Sequence, residues 1–154
     1  MAVKSFQGRR NPLKKEELKP ALVSDYMTTK LITFKPDQPV AEVMDTLIKN
    51  KISGGPVVNE NNELLGIISE GDCIKHISES RYYNIPVDND NVEKHMVKNV
   101  ETIEGNLNIF EAAERFLQSK RRRFPIVENG KLMGQISQKD ILIAALEQKG
   151  NSWK

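Results

Sequence analysis

Cysteine is nearly missing from this chain: Cys73 is the only one among 154 residues. No internal disulfide can form, and a reducing compartment is the simplest setting for a lone thiol. Long apolar runs are missing as well. No stretch approaches the roughly 20 residues that span a bilayer, and residues 1–10, with Lys4, Arg9 and Arg10, hold no apolar segment of the secretory-signal kind. Nor does one sign of charge dominate. The 23 basic and 21 acidic residues leave a net +2, too little to argue for nucleic acid or an anionic membrane as partner. The expectation is a soluble, cytoplasmic protein. Histidine is scarce too: His76 and His95 have no metal-type spacing with Cys73 or with each other, so no structural zinc is expected. What is present, 38% hydrophobic and 29% charged residues, suits a globular fold of one ordinary domain or two small fused ones.

The chain repeats itself. With Met27 set against Met96, a shift of 69 brings Thr33 opposite Thr102, Glu42 opposite Glu111 and Pro56 opposite Pro125. A one-residue contraction in a loop then makes the shift 68, and Gly66 faces Gly134, Ser69 faces Ser137, Asp72 faces Asp140. Apolar periodicity gives the same register. Val40, Val43, Met44, Leu47 and Ile48 follow helical steps, and Ile109, Ala112, Ala113, Phe116 and Leu117 follow them again, so each half holds an amphipathic helix with one buried stripe.

Each half reads as strand, helix, strand, strand, helix. Short strands are expected over 31–33 and 100–102, and Pro39 suits the first turn of the following helix, which runs to about Asn50. Strands follow over 55–58 and 124–127, then a polar hairpin loop, then strands over 64–69 and 132–137 that lead into a second helix. A unit of some 55 residues buries too little apolar surface alone, so two units packed sheet to sheet are expected to share one core. The organisation is a basic arm over 1–20, a first repeat over 21–80, a loop-like linker over 81–89, a second repeat over 90–148 and a tail over 149–154 carrying Trp153. Pro12 starts a weak helical signal in the arm, and Asn89 or Asp90 is the expected cap of a short helix reaching Met96.

The element richest in chemistry is Gly66-Ile67-Ile68-Ser69-Glu70-Gly71-Asp72, with its twin Gly134-Gln135-Ile136-Ser137-Gln138-Lys139-Asp140. In both, a strand ends in Ser, a helix begins, and Asp follows three residues on. A capping box explains one such Ser-x-x-Asp without any ligand. Two of them at matched junctions fit a second reading. A helix N-terminus offers N–H groups to a phosphate, the Ser hydroxyl adds a donor, and the Asp carboxylate accepts from a pair of ribose hydroxyls. Those needs together describe a nucleoside phosphate.

Met27-Thr28, His95-Met96, Pro56-Val57-Val58, Pro125-Ile126-Val127 and the two Ser-x-x-Asp junctions, taken as an ordered and duplicated set, resemble the signatures of the CBS domain family, in which two domains pair as a Bateman module. The resemblance covers about residues 22 to 146. It implies an α+β fold of tandem strand–helix–strand–strand–helix units about a pseudo-twofold axis, and a disc-like module that commonly forms a homodimer. It also implies clefts that take AMP, ADP, ATP or S-adenosylmethionine, no required cofactor, and no catalysis. By that resemblance Ser69 and Ser137 contact phosphate, and Asp72 and Asp140 the ribose. Thr33 and Thr102, with the residues around Pro56 and Pro125, wall the adenine.

The halves differ ahead of the second strand. Lys120-Arg121-Arg122-Arg123-Phe124 stands where the first half has Lys51-Ile52-Ser53-Gly54-Gly55. A basic run is ordinarily a solvated face, but the resemblance implies one basic residue here against the ligand phosphates, alternation points to Arg122 or Arg123, and Arg can bind phosphate bidentately. Phe124 is a wall for a base or a core aromatic, and Gly54-Gly55 widens the first pocket. The two sites are therefore expected to be unequal. Cys73, inside a helix, reads as a small core residue. Tyr82 and Tyr83 read as packing, or as a cover for a cleft or a dimer contact. No nucleophile, base and orienter can be assembled. The main expectation is a nucleotide-binding regulatory module acting on another, unidentified protein by population shift. The rivals are a ligand-free dimerisation module and, less favoured, a nucleic-acid binder using Lys120 to Arg123 and the basic arm.

Overall fold

The structure, a computed structural model, describes residues 19–84 and 90–149. The helix expected from Pro12, most of the basic arm, Asn89 as a cap and the tail with Trp153 lie outside the described residues. In chain order the described elements are α1 (Val23–Tyr26), α2 (Val40–Asn50), β1 (Gly54–Val58), β2 (Leu64–Ser69) and α3 (Glu70–Tyr82), then α4 (Val92–His95), α5 (Ile109–Ser119), β3 (Arg123–Glu128), β4 (Lys131–Ser137) and α6 (Gln138–Gln148). This is an α+β chain whose second half repeats the first.

Each repeat is built on one antiparallel hairpin. Gly54 faces Ser69 and Pro56 faces Ile67 in β1–β2; Arg123 faces Ser137 and Pro125 faces Gln135 in β3–β4. Both ladders slip at the same place, between Val57 and Val58 and between Ile126 and Val127. The duplication therefore extends to the irregularities. The strands expected over 31–33 and 100–102 contract to one bridging residue each. Phe34 donates to the Pro56 carbonyl at 2.9 Å and accepts from Val58 at 2.9 Å; Ile103 does the same with Pro125 at 3.0 Å and Val127 at 3.1 Å. Pro36 and Gly105 stand where the next ladder bond would form, and neither residue supports a strand interior.

The two amphipathic helices form as expected, with Val40, Val43 and Leu47 buried on α2 and Ile109, Ala112 and Phe116 on α5. Their stripes are narrower than the sequence suggested. Ile48 and Leu117 are exposed, because a residue eight positions on sits about 80° round the helix from the first. Pro39 is the N-cap residue rather than the first helical one. Its twin Asn108 does more, accepting from Phe110 at 3.0 Å and Glu111 at 2.9 Å through Oδ1. The stretch read as loop-like from Arg81 is helical through Tyr82, and Ser80 in the turn before it is buried against His76. The cap of α4 is Asn91, and Asp90 instead faces His95.

Packing does not follow chain order. The segment leading into the first repeat docks on the second: Leu22 bridges Asn108, Val23 donates to Leu107, and Thr28 pairs with Gln135 on the open edge of β4. The segment leading into the second repeat docks on the first in the same way, with Asn91 bridging Pro39, Val92 donating to Gln38, and Val97 pairing with Ile67 on β2. Gly66 and Gly134 permit these crossings. A Cβ on Gly66 would stand 2.5 Å from the Val97 carbonyl oxygen, and one on Gly134 2.7 Å from that of Thr28.

The expected single core is consequently two. One gathers Phe34, Val40, Val43, Leu47, Val57, Ile68 and Cys73 with Val92 from the exchanged segment. The other gathers Ile103, Ala112, Phe116, Phe124, Ile126 and Ile136 with Val23. Each repeat completes its interior with the segment that leads into the other repeat, which ties the two small cores together. Among the described residues no helix is long and apolar enough to cross a membrane.

Candidate functional site

Both strand-to-helix junctions close into the same hydrogen-bonded box. Asp72 Oδ2 accepts from the Ser69 amide at 2.9 Å and the Ser69 hydroxyl at 3.0 Å, while Ser69 Oγ accepts from the Asp72 amide at 3.4 Å. The corresponding distances at Ser137 and Asp140 are 2.8, 2.9 and 3.2 Å. Each Ser and Asp thus caps its helix, α3 or α6. The second carboxylate oxygen, Oδ1, takes part in none of these bonds.

The surroundings of the two junctions differ. Beside Ser69 opens a cleft of about 280 Å³ lined by Ser53, Gly54, Gly55, Ile67, Ser69, Gln135 and the three arginines 121 to 123. A second lobe of about 220 Å³ shares Gly54, Arg123 and Gln135 with it and adds Thr28, Lys30, Leu31, Ile32, Ile52 and Pro56. Side-chain size explains the opening. The hairpins begin with Gly54 in one half and Arg123 in the other, so the first leaves space and the second supplies long cations to its rim. Arg122 and Arg123 are exposed, and neither forms an ion pair among the described residues. Arg121 sits 3.8 Å from Glu101, which also holds Arg115 at 3.1 Å. Glu101 stands where the first half has Ile32, so the second half neutralises part of its own charge.

Of the residues singled out from sequence, the crevice brings together Gly55, Pro56, Ser69, Arg122 and Arg123. Thr33 and Asp72 are half-buried nearby in sequence but not on its walls. Thr102 lines a separate hollow of about 350 Å³ with Gly66, Lys98 and Asn99. Pro125, Ser137 and Asp140 border none of these spaces. Phe124 is not a wall for a base. It is fully buried, its ring 4.7 Å from that of Phe116, because it points to the core side of β3. Gly55 does not widen the pocket either: a Cβ there would stand 2.9 Å from the Phe34 ring. Another hollow, about 430 Å³, lies by Leu22 and Ser24 and is bordered by Glu104 and Glu128, whose charge opposes a phosphate.

Sequence reasoning missed Lys30, Gln135 and Ile67 as crevice residues. Gln135 and Ile67 occupy twin positions on β4 and β2, and only pairing the two hairpins across the pseudo-twofold would have found them. His76 and His95, which have no metal-type spacing along the chain, meet in space with ring centroids 4.2 Å apart. Cys73 is buried, and burial pushes its thiol pKa up with Asp72 and Glu70 adding to the shift. That holds it protonated and unreactive.

Comparison with known proteins agrees with the duplicated fold. The family model for the CBS domain matches residues 23–79 and again 86–147. CBSX2 from Arabidopsis thaliana, in a crystal structure with AMP, superposes with a TM-score of 0.74 at 29% identity, covering 84% of this chain and 98% of that one. A 17.7 kDa protein of Acidianus ambivalens is 32% identical over 126 residues, which are 81% of this chain and 73% of that protein. Inosine-5'-monophosphate dehydrogenase of Aquifex aeolicus is 36% identical over 138 residues, 87% of this chain but only 27% of the enzyme.

Proposed function

Because this chain belongs to the CBS domain family and carries the domain twice, we propose that it is a non-catalytic regulatory module that binds an adenine nucleotide in the crevice between its two repeats. One observation carries the reading: Ser69 at the N-terminus of α3 shares a cleft with Arg122 and Arg123 from the other repeat. A helix N-terminus, a hydroxyl and two guanidinium groups together suit a phosphate. The adjoining lobe, with Leu31, Ile32, Ile52 and Pro56, offers apolar walls to a flat base. Asp72 takes the ribose hydroxyls through its second oxygen, or through both once the bonds to Ser69 loosen. Phosphate bridging the arginines of one repeat to the junction of the other favours one arrangement of the halves, which is the physical content of a signal.

AMP is the first ligand to test, since CBSX2 has been crystallised with it; ADP, ATP and S-adenosylmethionine are the others. The junction at Ser137 and Asp140, with Thr102 and Pro125, is the weaker site. A cytoplasmic setting fits the lone buried thiol, and the regulated target is another protein. A homodimer is supported by α3 and α6, which expose the large apolar side chains Ile74, Leu142 and Leu146. The second reading is a ligand-free interaction module, favoured by the closed boxes at both junctions.

Calorimetry of nucleotide-free protein against the four ligands separates the two readings. Saturable binding is expected, lost in the double variant Asp72→Ala, Asp140→Ala and reduced at least tenfold in Arg122→Ala, Arg123→Ala, with native mass spectrometry reading two subunits. Failure of all four ligands to bind at millimolar concentration leaves only the interaction module.

A further inference from the structure

Three groups with metal-binding chemistry converge away from the nucleotide crevice. His76 lies on α3, Asp90 just ahead of α4, and His95 ends α4. His95 Nε2 is 2.8 Å from Asp90 Oδ2, and His76 Nδ1 is 3.7 Å from the same oxygen. One ligand atom from each residue lies within 4.8 Å of the other two. The arrangement is enclosed but reachable, with side-chain exposures of 2% for His76, 15% for His95 and 22% for Asp90.

We infer that His76, Asp90 and His95 bind one divalent transition-metal cation of the zinc type. Metal–ligand bonds of about 2.0–2.2 Å in a tetrahedron place neighbouring donor atoms roughly 3.3–3.6 Å apart. The two distances to the Asp90 oxygen bracket that range, so modest side-chain movement seats an ion. Two imidazoles and one carboxylate suit zinc and its neighbours, whereas calcium and magnesium require mostly oxygen donors. The surrounding contacts fit as well. Lys94 holds the other Asp90 oxygen at 3.4 Å and orients the carboxylate. Water takes the fourth position.

The second half holds no equivalent site. The positions matching His76, Asp90 and His95 are Ala144, Ala21 and Tyr26. An ion would therefore clamp only one exchanged segment, fastening α4 to α3 across the residues that join the two repeats. This gives the chain a second input, separate from the nucleotide crevice.

The test uses metal-stripped, untagged full-length protein without nucleotide, titrated with zinc sulfate. Saturable binding of one ion per chain is expected, with magnesium sulfate giving none. His95→Gln and Asp90→Asn, at the more exposed positions, should each weaken zinc by at least the roughly ten- to hundredfold that loss of a ligand's supporting partner costs. Cobalt(II) should give the visible absorption of a tetrahedral site in the parent and not in His95→Gln. The inference is overturned by no saturable zinc binding in the folded parent, or by unchanged affinity in both folded variants.

Discussion

Phe34 and Gly55 occupy in the first half the places that Ile103 and Phe124 occupy in the second. In the first half a large ring on the bridging strand lies over a glycine, 2.9 Å from where a Cβ would sit. In the second half the smaller Ile103 lies on the bridge, and the large ring comes from the hairpin. Both versions are closed to water: Phe34, Ile103 and Phe124 are all at most 1% exposed. The same interior space is filled by opposite assignments of large and small. A core thus specifies the volume to be filled rather than which strand supplies it. The choice has consequences at the surface. With Gly54 beginning its hairpin, the first half leaves a crevice. With Phe124 buried, the second half follows an exposed Arg123 into its hairpin and lends cations to that same crevice.

The largest effect comes from breaking one version of this packing. Phe124→Ala should cost about 3–5 kcal/mol, read as a fall in the denaturant midpoint with an unchanged slope. The sharper test is a change of sign. Ile103→Phe alone overpacks the second core and should cost about 1–3 kcal/mol. In a Phe124→Gly background the same substitution rebuilds the first half's arrangement and should stabilise. If Ile103→Phe destabilises both backgrounds equally, the two interiors are not interchangeable solutions.

A middle-sized effect belongs to the exchanged segments, where the halves should behave alike. Gly66→Ala and Gly134→Ala each bring a methyl group against a backbone carbonyl of the crossing segment, at 2.5 and 2.7 Å. Each should cost about 1–3 kcal/mol, since backbone rather than a flexible side chain has to move. Thermal unfolding of the two variants checks this, and a silent substitution in one half would mean that its crossing segment is held loosely.

Much of this was legible along the chain, and the failures have physical causes. The helices showed themselves because Val40, Val43 and Leu47, and Ile109, Ala112 and Phe116, repeat at helical spacing and are buried for that reason. Both Ser-x-x-Asp boxes were visible as caps because they are local, closing within three residues. The exchange of the leading segments was not visible. Val23 and Val92 each start a four-residue helix, and nothing local tells such a segment which core will receive it. The meeting of His76 with His95 depends on that exchange, so sequence spacing could not show it. The pairing of Gly55 with Phe124 and Phe34 with Ile103 lay open in the repeat register. Phe124 reads along the chain as a pocket wall or a core aromatic, and its alternation with the exposed Arg123 turns it inward.

The smallest effect separates the halves at the contact between each exchanged helix and the long helix beside it. In the first half this contact is the histidine and aspartate cluster; in the second it is the Tyr26 hydroxyl donating to Glu147 Oε1 at 2.7 Å. That hydrogen bond raises the Tyr26 pKa above its ordinary value near 10, with the negative charge of Glu147 adding to the shift. A raised folded-state pKa means that the bond's contribution is complete below the unfolded value and is lost as pH climbs through the folded one. The contact is exposed, so Tyr26→Phe should cost less than about 1 kcal/mol at neutral pH. Comparing the parent with Tyr26→Phe cancels the other alkaline titrations. The stability gap between them should stay constant up to the ordinary tyrosine range and close above it. A gap that persists once Tyr26 has ionised would mean that its hydroxyl stabilises the fold by something other than its bond to Glu147.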